Sequence, residues 1–350
     1  MYNAKERGLA PFKGQTLDRF PMWYGGDPET TQNIIEKLGA ASEHDALYNI
    51  LGIDYMTFRP EYIGPEMEVY PDGSVMSIWG IRRAGYYYGQ AINHPMANIE
   101  SVSEVEKYKW PELDLWEYEI SETEREKARN HCVIGGAWAP YFHDAIELLG
   151  MERFFIEMCE DSGIAEAITE YCFNFYYEQT KRSFEKNPGV IDFQFIGNDF
   201  GSQRSLLMSP QQWRRLFKPG LKKLVELAHK NNSVAGLHSC GDIHEIIPDL
   251  IEIGFDVVNP IQVSAEHMDP VKLKKEFGKD IVFFGGIDEN EILRSATEKE
   301  VRAETRRIID ILGGDGRYIV AASHDYLLPE VPAENIIAMY DEAKNYFVKK

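Results

Sequence analysis

One short element places a nitrogen and a sulfur donor side by side: His238-Ser239-Cys240-Gly241, at the end of the apolar run Val234–His238. An imidazole and a thiolate two residues apart at a strand end can aim at one point. Such donors suit Zn²⁺, at ~2.0 to 2.3 Å from the metal, and a bound zinc would depress the pKa of the Cys240 thiol. The competing reading makes Cys240 a small packed residue and His238 a hydrogen-bonded one. A catalytic zinc needs a third protein ligand and an open position. By its place in the chain His324 is the first candidate, with Asp325, Gln262 and Glu330 behind it. His324 could equally do acid–base or hydrogen-bonding work without a metal.

Two carboxylates have the same double reading. Asp199, in Gly197-Asn198-Asp199-Phe200-Gly201-Ser202-Gln203, could accept a proton or orient a polar substrate. Asp288, in Gly285-Gly286-Ile287-Asp288, could do likewise. Both also suit turns in which the carboxylate caps backbone amides. Asn198, Gln203 and Gln262 are candidate substrate contacts. The aromatics Trp23, Tyr24, Trp79, Tyr86, Tyr87, Tyr88, Trp138 and Tyr141 could wall a pocket for a flat or apolar substrate, or simply pack the core. His143 stands among them.

These residues fall at the ends of predicted strands. In the second half, short β-branched or aromatic runs alternate with helical patterns: Ile191–Ile196, Val234–His238, Phe255–Pro260, Ile281–Gly285 and Tyr318–Ala322. Helices are expected over 210–231, 243–253, 270–277, 298–312 and 332–348. Ser209-Pro210 opens the first, and glycines follow several helix ends. Repeated βα units imply a parallel sheet covered by helices. Pro21–Tyr24, Tyr55–Phe58 and Val133–Trp138 supply three earlier strands and bring the count to eight, the number that closes a (β/α)₈ TIM barrel. No Gly-rich loop of a doubly wound nucleotide fold follows the first strand. Residues 68–90 read as an antiparallel hairpin turning at Pro71-Asp72-Gly73, laid over the barrel mouth. Residues 1–350 are read as one domain. In barrels of this kind the site lies at the C-terminal ends of the strands, where these residues stand.

The bulk composition sets outer bounds. Hydrophobic residues make up 44% and charged residues 27%, an ordinary globular balance. A net charge of −20 argues against nucleic acid and anionic membrane surfaces as partners. The four cysteines are scattered, which suits reduced thiols in a cytoplasmic protein. Met1-Tyr-Asn-Ala-Lys-Glu-Arg holds no apolar stretch of the kind that would predict a signal peptide, and no run reaches the ~18 apolar residues expected of a membrane span.

The stretches Leu237-His238-Ser239-Cys240-Gly241-Asp242, Ile247–Gly254, Val258-Asn259-Pro260-Ile261-Gln262, Phe284–Asp288 and His324 through Ile336 resemble the uroporphyrinogen decarboxylase superfamily, from about Pro21 to the C-terminus. That resemblance implies a (β/α)₈ barrel and one of two chemistries: cofactor-free decarboxylation of a polycarboxylate tetrapyrrole, or zinc-dependent methyl transfer with a corrinoid protein. The decarboxylases carry an arginine-rich N-terminal motif. Here Phe20-Pro21-Met22-Trp23-Tyr24-Gly25-Gly26-Asp27 holds no arginine and adds an acid. A desolvated polyanion needs paired charge, so the departure favours the methyltransferases. Their His-x-Cys carries over to His238 and Cys240 as zinc ligands. Their usual third ligand, a cysteine in the last βα loop, is replaced by Ser323-His324-Asp325. Others use an acid after the sixth strand, where this chain has Gln262.

The expectation is therefore a zinc methyltransferase with His238, Cys240 and His324 on the metal and Asp199 or Asp288 positioning substrate or moving a proton. Its partners would be a corrinoid protein and a small methyl donor or acceptor, such as a methoxylated aromatic, with homodimerisation left open. The alternatives are a metal-free decarboxylase and a non-catalytic barrel that binds a small ligand or corrinoid.

Overall fold

Strands that are apolar on both faces must be covered on both faces. That is their state in the computed structural model of the chain, which describes residues 2–85 and 89–347. The strands among the described residues are β1 Tyr55–Thr57, β2 Glu61–Tyr62, β3 Val75–Met76, β4 Arg82–Ala84, β5 Gln90–Ala91, β6 Trp116–Glu117, β7 Cys132–Gly135, β8 Phe193–Gly197, β9 Val234–His238, β10 Val257–Asn259, β11 Val282–Phe284 and β12 Tyr318–Ile319. One seven-stranded sheet runs β1-β7-β8-β9-β10-β11-β12, every neighbouring pair parallel. Sequential strands are neighbours, and helices separate them along the chain, as parallel connections demand.

The predicted first strand, Pro21–Tyr24, is not one. Met22 makes an isolated parallel bridge to Val320. Yet Val320 N–H donates to the Pro21 carbonyl at 2.9 Å, and Asp54 N–H to the Met22 carbonyl at 2.9 Å. Residues 21–22 thus join the two edges of the sheet in the eighth position. The fully buried Asp54 holds them there. Its carboxylate accepts from Arg7 at 2.9 Å, from Arg19 at 2.6 Å and from the Met22 amide at 2.9 Å. Two guanidiniums and an amide compensate a charge that burial alone would make costly.

Inside the ring, Trp23, Tyr55, Phe193, Phe195, Val257, Val282, Phe284 and Ile319 form a cluster of their own. Phe195 stacks on Phe284 at 5.7 Å, and Trp23 meets Phe284 edge-on at 5.3 Å. This aromatic plug fills the barrel floor under the strand ends.

The predicted helix over 210–231 is two, Pro210–Leu216 and Lys218–Lys230, broken at Phe217 because Pro219 has no N–H to continue the first. The helix Glu298–Leu312 forms as expected, opened by a Thr297/Glu300 capping box. The hairpin over 68–90 is larger than a hairpin. Val69 bridges Val75 around the Pro71-Asp72-Gly73 turn, and β3, β4 and β5 form an antiparallel three-stranded sheet. No helix among the described residues is long and apolar enough to cross a membrane.

Candidate metal centre

The core of the site is built by two touching loops. After β8 the chain runs through Asp199 to Gly201, and after β9 through Cys240 to Gly241. Gly241 has φ +82°, and a Cβ there would lie 2.4 Å from the Gly201 carbonyl carbon. A Cβ on Gly201 would lie 2.6 Å from the Asp242 amide nitrogen. Only two glycines allow this approach. It brings the Asp199 carboxylate to the Cys240 amide, which donates to Oδ1 at 2.8 Å.

His238 closes the group. Its Nε2 lies 3.5 Å from Cys240 Sγ and 3.3 Å from Asp199 Oδ1. One ligand atom from each of Asp199, His238 and Cys240 falls within 4.8 Å of the other two. On the far side of the ring, Nδ1 faces Asn259 Oδ1 at 2.8 Å and Asp325 Oδ2 at 3.5 Å. Both are acceptors, so Nδ1 carries a proton, and Nε2 is the ring nitrogen turned toward Cys240 and Asp199, the one that would face a metal. Three donors of mixed hardness surround one point with the imidazole correctly turned, a set that suits Zn²⁺.

The ionisable groups of the site shift one another. Burial works against ionisation of Asp199, but hydrogen bonds from His143 and His238 hold it well below the usual carboxylate range. Burial works against protonation of His238, but Asp325, Cys240 and Asp199 raise it well above its ordinary value.

His324 is not part of the compact trio, in which Asp199 stands where His324 was expected, but its side chain hydrogen-bonds Cys240 from the cavity side. The loop after β12 brings His324 to the cavity edge, its side chain 46% exposed and its Nδ1 3.1 Å from the Tyr326 amide nitrogen. Burial opposes its charge, yet Cys240, Asp325 and Glu289 lift it to about 9. His324 still lines a cavity of about 400 Å³ over the trio, with Arg83, Trp138, His143, Asp144, Asp199 and His238.

Trp138, Asp325 and Tyr326 are shared with a second cavity of about 480 Å³, lined also by Trp23, Tyr24, Tyr48 and Arg59. Trp138 packs on His238 with ring centroids 5.0 Å apart. Trp23, Tyr24 and Trp138 thus lie where pocket walls were expected.

Other assignments change. Tyr141 is fully buried, its hydroxyl donating to the Phe217 carbonyl, so it packs the core. Trp79 is likewise buried, against Phe175 and Trp110. Asn198 is fully buried and spends its amide on Phe142 N–H and the Ala139 carbonyl. Gln262 accepts from Gly241 N–H at 2.6 Å and so braces the Cys240 loop. Gln203 is exposed and lines neither cavity. Asp288 caps the turn that follows it, accepting from Glu291 N–H at 3.0 Å. Tyr86, Tyr87 and Tyr88 lie outside the described residues.

Sequence reasoning passed over Arg59, Arg83, Asp144 and Glu289. Arg59 lies two residues past β1 and the strand-end rule could have found it. Arg83 could not be found so, because it reaches the cavity from the inserted sheet, where it pairs with Glu147. The 20–27 stretch holds no arginine, and these two bring guanidiniums to the cavities from other elements.

The sequence profile described as uroporphyrinogen decarboxylase matches residues 84–346. The chain is 27% identical over 141 residues to the methylcobamide:CoM methyltransferase MtaA of Methanosarcina barkeri, a match covering 40% of this chain and 38% of that protein. In three dimensions it resembles a methyltransferase from Methanosarcina mazei, with a TM-score of 0.64 at 17% identity, covering 99% of this chain and 100% of the other.

Proposed function

The chain belongs to the uroporphyrinogen decarboxylase family, and on that premise we propose that it is a zinc-dependent methyltransferase exchanging methyl groups with the corrinoid of a partner protein. The observation that carries this reading is the convergence of Asp199, His238 and Cys240 beneath a cavity open to a small molecule. The relative named for methyl transfer between methylcobamide and CoM supports the same chemistry.

A zinc ion on the trio would act as a Lewis acid toward the heteroatom that bears or receives the methyl group. The chain's own residues do the rest. Asn259 orients the His238 ring. His143, 3.3 Å from Asp199 Oδ2, steadies the carboxylate. Trp138 offers an aromatic face to a flat donor such as a methoxylated ring. His324 stands at the cavity edge to hydrogen-bond the departing heteroatom, where charge develops.

Decarboxylation of a polyanion is the weaker reading. Of the two arginines at the mouth, Arg83 is already paired with Glu147, and Asp144, Asp199 and Asp325 line the same cavity.

The test is methyl transfer between a methoxyarene and reduced cobalamin, read from the cobalamin spectrum, alongside zinc content. The wild type should hold close to one zinc and transfer methyl, and folded His238→Ala should lose at least about 100-fold in rate. Less than ~0.2 equivalents of zinc after zinc-replete, chelator-free purification would overturn the metal assignment. A zinc-loaded protein that neither methylates nor demethylates cobalamin would overturn the activity.

A further inference from the structure

A guanidinium inside an acidic protein normally finds a carboxylate. Arg7 bonds Asp18 and Asp54, Arg214 bonds Asp249, and Arg83 bonds Glu147. Arg59 does not. Among the described residues its hydrogen-bond partner is the Gly136 carbonyl at 3.3 Å, and no carboxylate lies within ion-pair distance. Burial pulls its pKa down to about 10, with Asp325 opposing only in part, whereas Arg7 and Arg214 are raised. Two acids share its cavity. Asp325 is drawn toward His238 and His324, at 3.5 and 3.8 Å, and Glu43 sits exposed at the rim. Trp23, lining the same cavity, has a buried indole N–H with no partner among the described residues.

The guanidinium also lies 5.5 Å from the ring centroid of Trp138, and that indole touches His238. A flat molecule against Trp138 therefore meets a cation at one end and the donor trio at the other. We propose that Arg59 is a substrate-binding residue that takes a carboxylate, so that the molecule handled at the trio is a carboxylate-bearing aromatic. Arginine's planar fork matches a carboxylate in two bonds. The methyl-transfer reading is used only to say which end of the substrate reacts; the carboxylate seat stands on the cavity alone.

The test is therefore binding, with no corrinoid present. Quenching of tryptophan fluorescence by 4-methoxybenzoate and by its neutral isostere 4-methoxybenzamide is compared in wild type, Arg59→Gln and Arg59→Lys. The wild type should prefer the carboxylate by about 10- to 100-fold. Arg59→Gln should lose that preference while binding the amide as before, and Arg59→Lys should keep part of it. Equal binding of acid and amide by the wild type would overturn the proposal. So would a full preference surviving in Arg59→Gln or, should that variant not fold, an unchanged or absent preference in Arg59→Lys. Loss of methyl transfer with the binding preference intact would count against the activity and leave the carboxylate seat standing.

Discussion

Asn259 Oδ1 lies 2.8 Å from His238 Nδ1, and this bond decides which imidazole nitrogen can face a metal. Both residues end adjacent strands and stand side by side in the β9–β10 ladder. The register of two strands thus sets which ring nitrogen meets that acceptor.

Asn259→Ala removes that orienting acceptor. Zinc affinity should fall by about 10- to 100-fold, with the fold retained. Competition with a chromophoric chelator measures it, and unchanged affinity would show that Asp325 alone suffices to hold the ring.

The third donor can be identified by contrast. Asp199→Ala and Cys240→Ser should each weaken zinc binding by at least about 100-fold. His324→Ala should leave zinc content near that of the wild type while lowering the rate of transfer. Zinc lost from His324→Ala but kept in Asp199→Ala would reverse the assignment.

Gly241→Ala places a Cβ 2.4 Å from the Gly201 backbone at a positive φ. Neither loop can yield without moving Asp199 from Cys240. The variant should lose on the order of 1–3 kcal/mol of stability, read by urea denaturation, and bind zinc less tightly. Wild-type values for both would mean that the loops are not in contact.

Asp144, on the helix Tyr141–Leu149, predicts a pH dependence of stability. Burial raises its pKa to about 7, against a hydrogen bond from Tyr176 that lowers it. Between about pH 4 and pH 7 the folded chain keeps a proton that the unfolded chain releases, so this contribution favours folding at low pH and is lost as pH rises through 7. Asp144→Asn should remove that slope and stabilise the protein above pH 7, by a few kcal/mol at most. Urea midpoints at about pH 5 and about pH 8 compare the two. The same pH dependence in both proteins would place the titration elsewhere.

What the sequence determined alone is what local chemistry writes into it. The apolar run Val234–His238 is a strand to the residue, because a strand covered on both faces leaves a continuous apolar run that turn residues bound. The Thr297/Glu300 box starts its helix because both partners of the cap lie within one turn. His238 and Cys240 fall at one strand end for the same reason, two residues apart on one short segment. Tertiary structure decided the rest. Asp199 comes within reach of His238 and Cys240 because Gly201 and Gly241, 40 residues apart, let two loops touch. Tyr141 turned into the core because its hydroxyl found the carbonyl of Phe217 on another helix junction. Arg83 reached the cavity on an inserted sheet, and the edge-joining Met22 needed only a bridge, because Asp54 and Val320 supply its partners. Each of these outcomes depends on which distant backbone approaches within hydrogen-bond or van der Waals range, a distance that no local pattern of residues encodes.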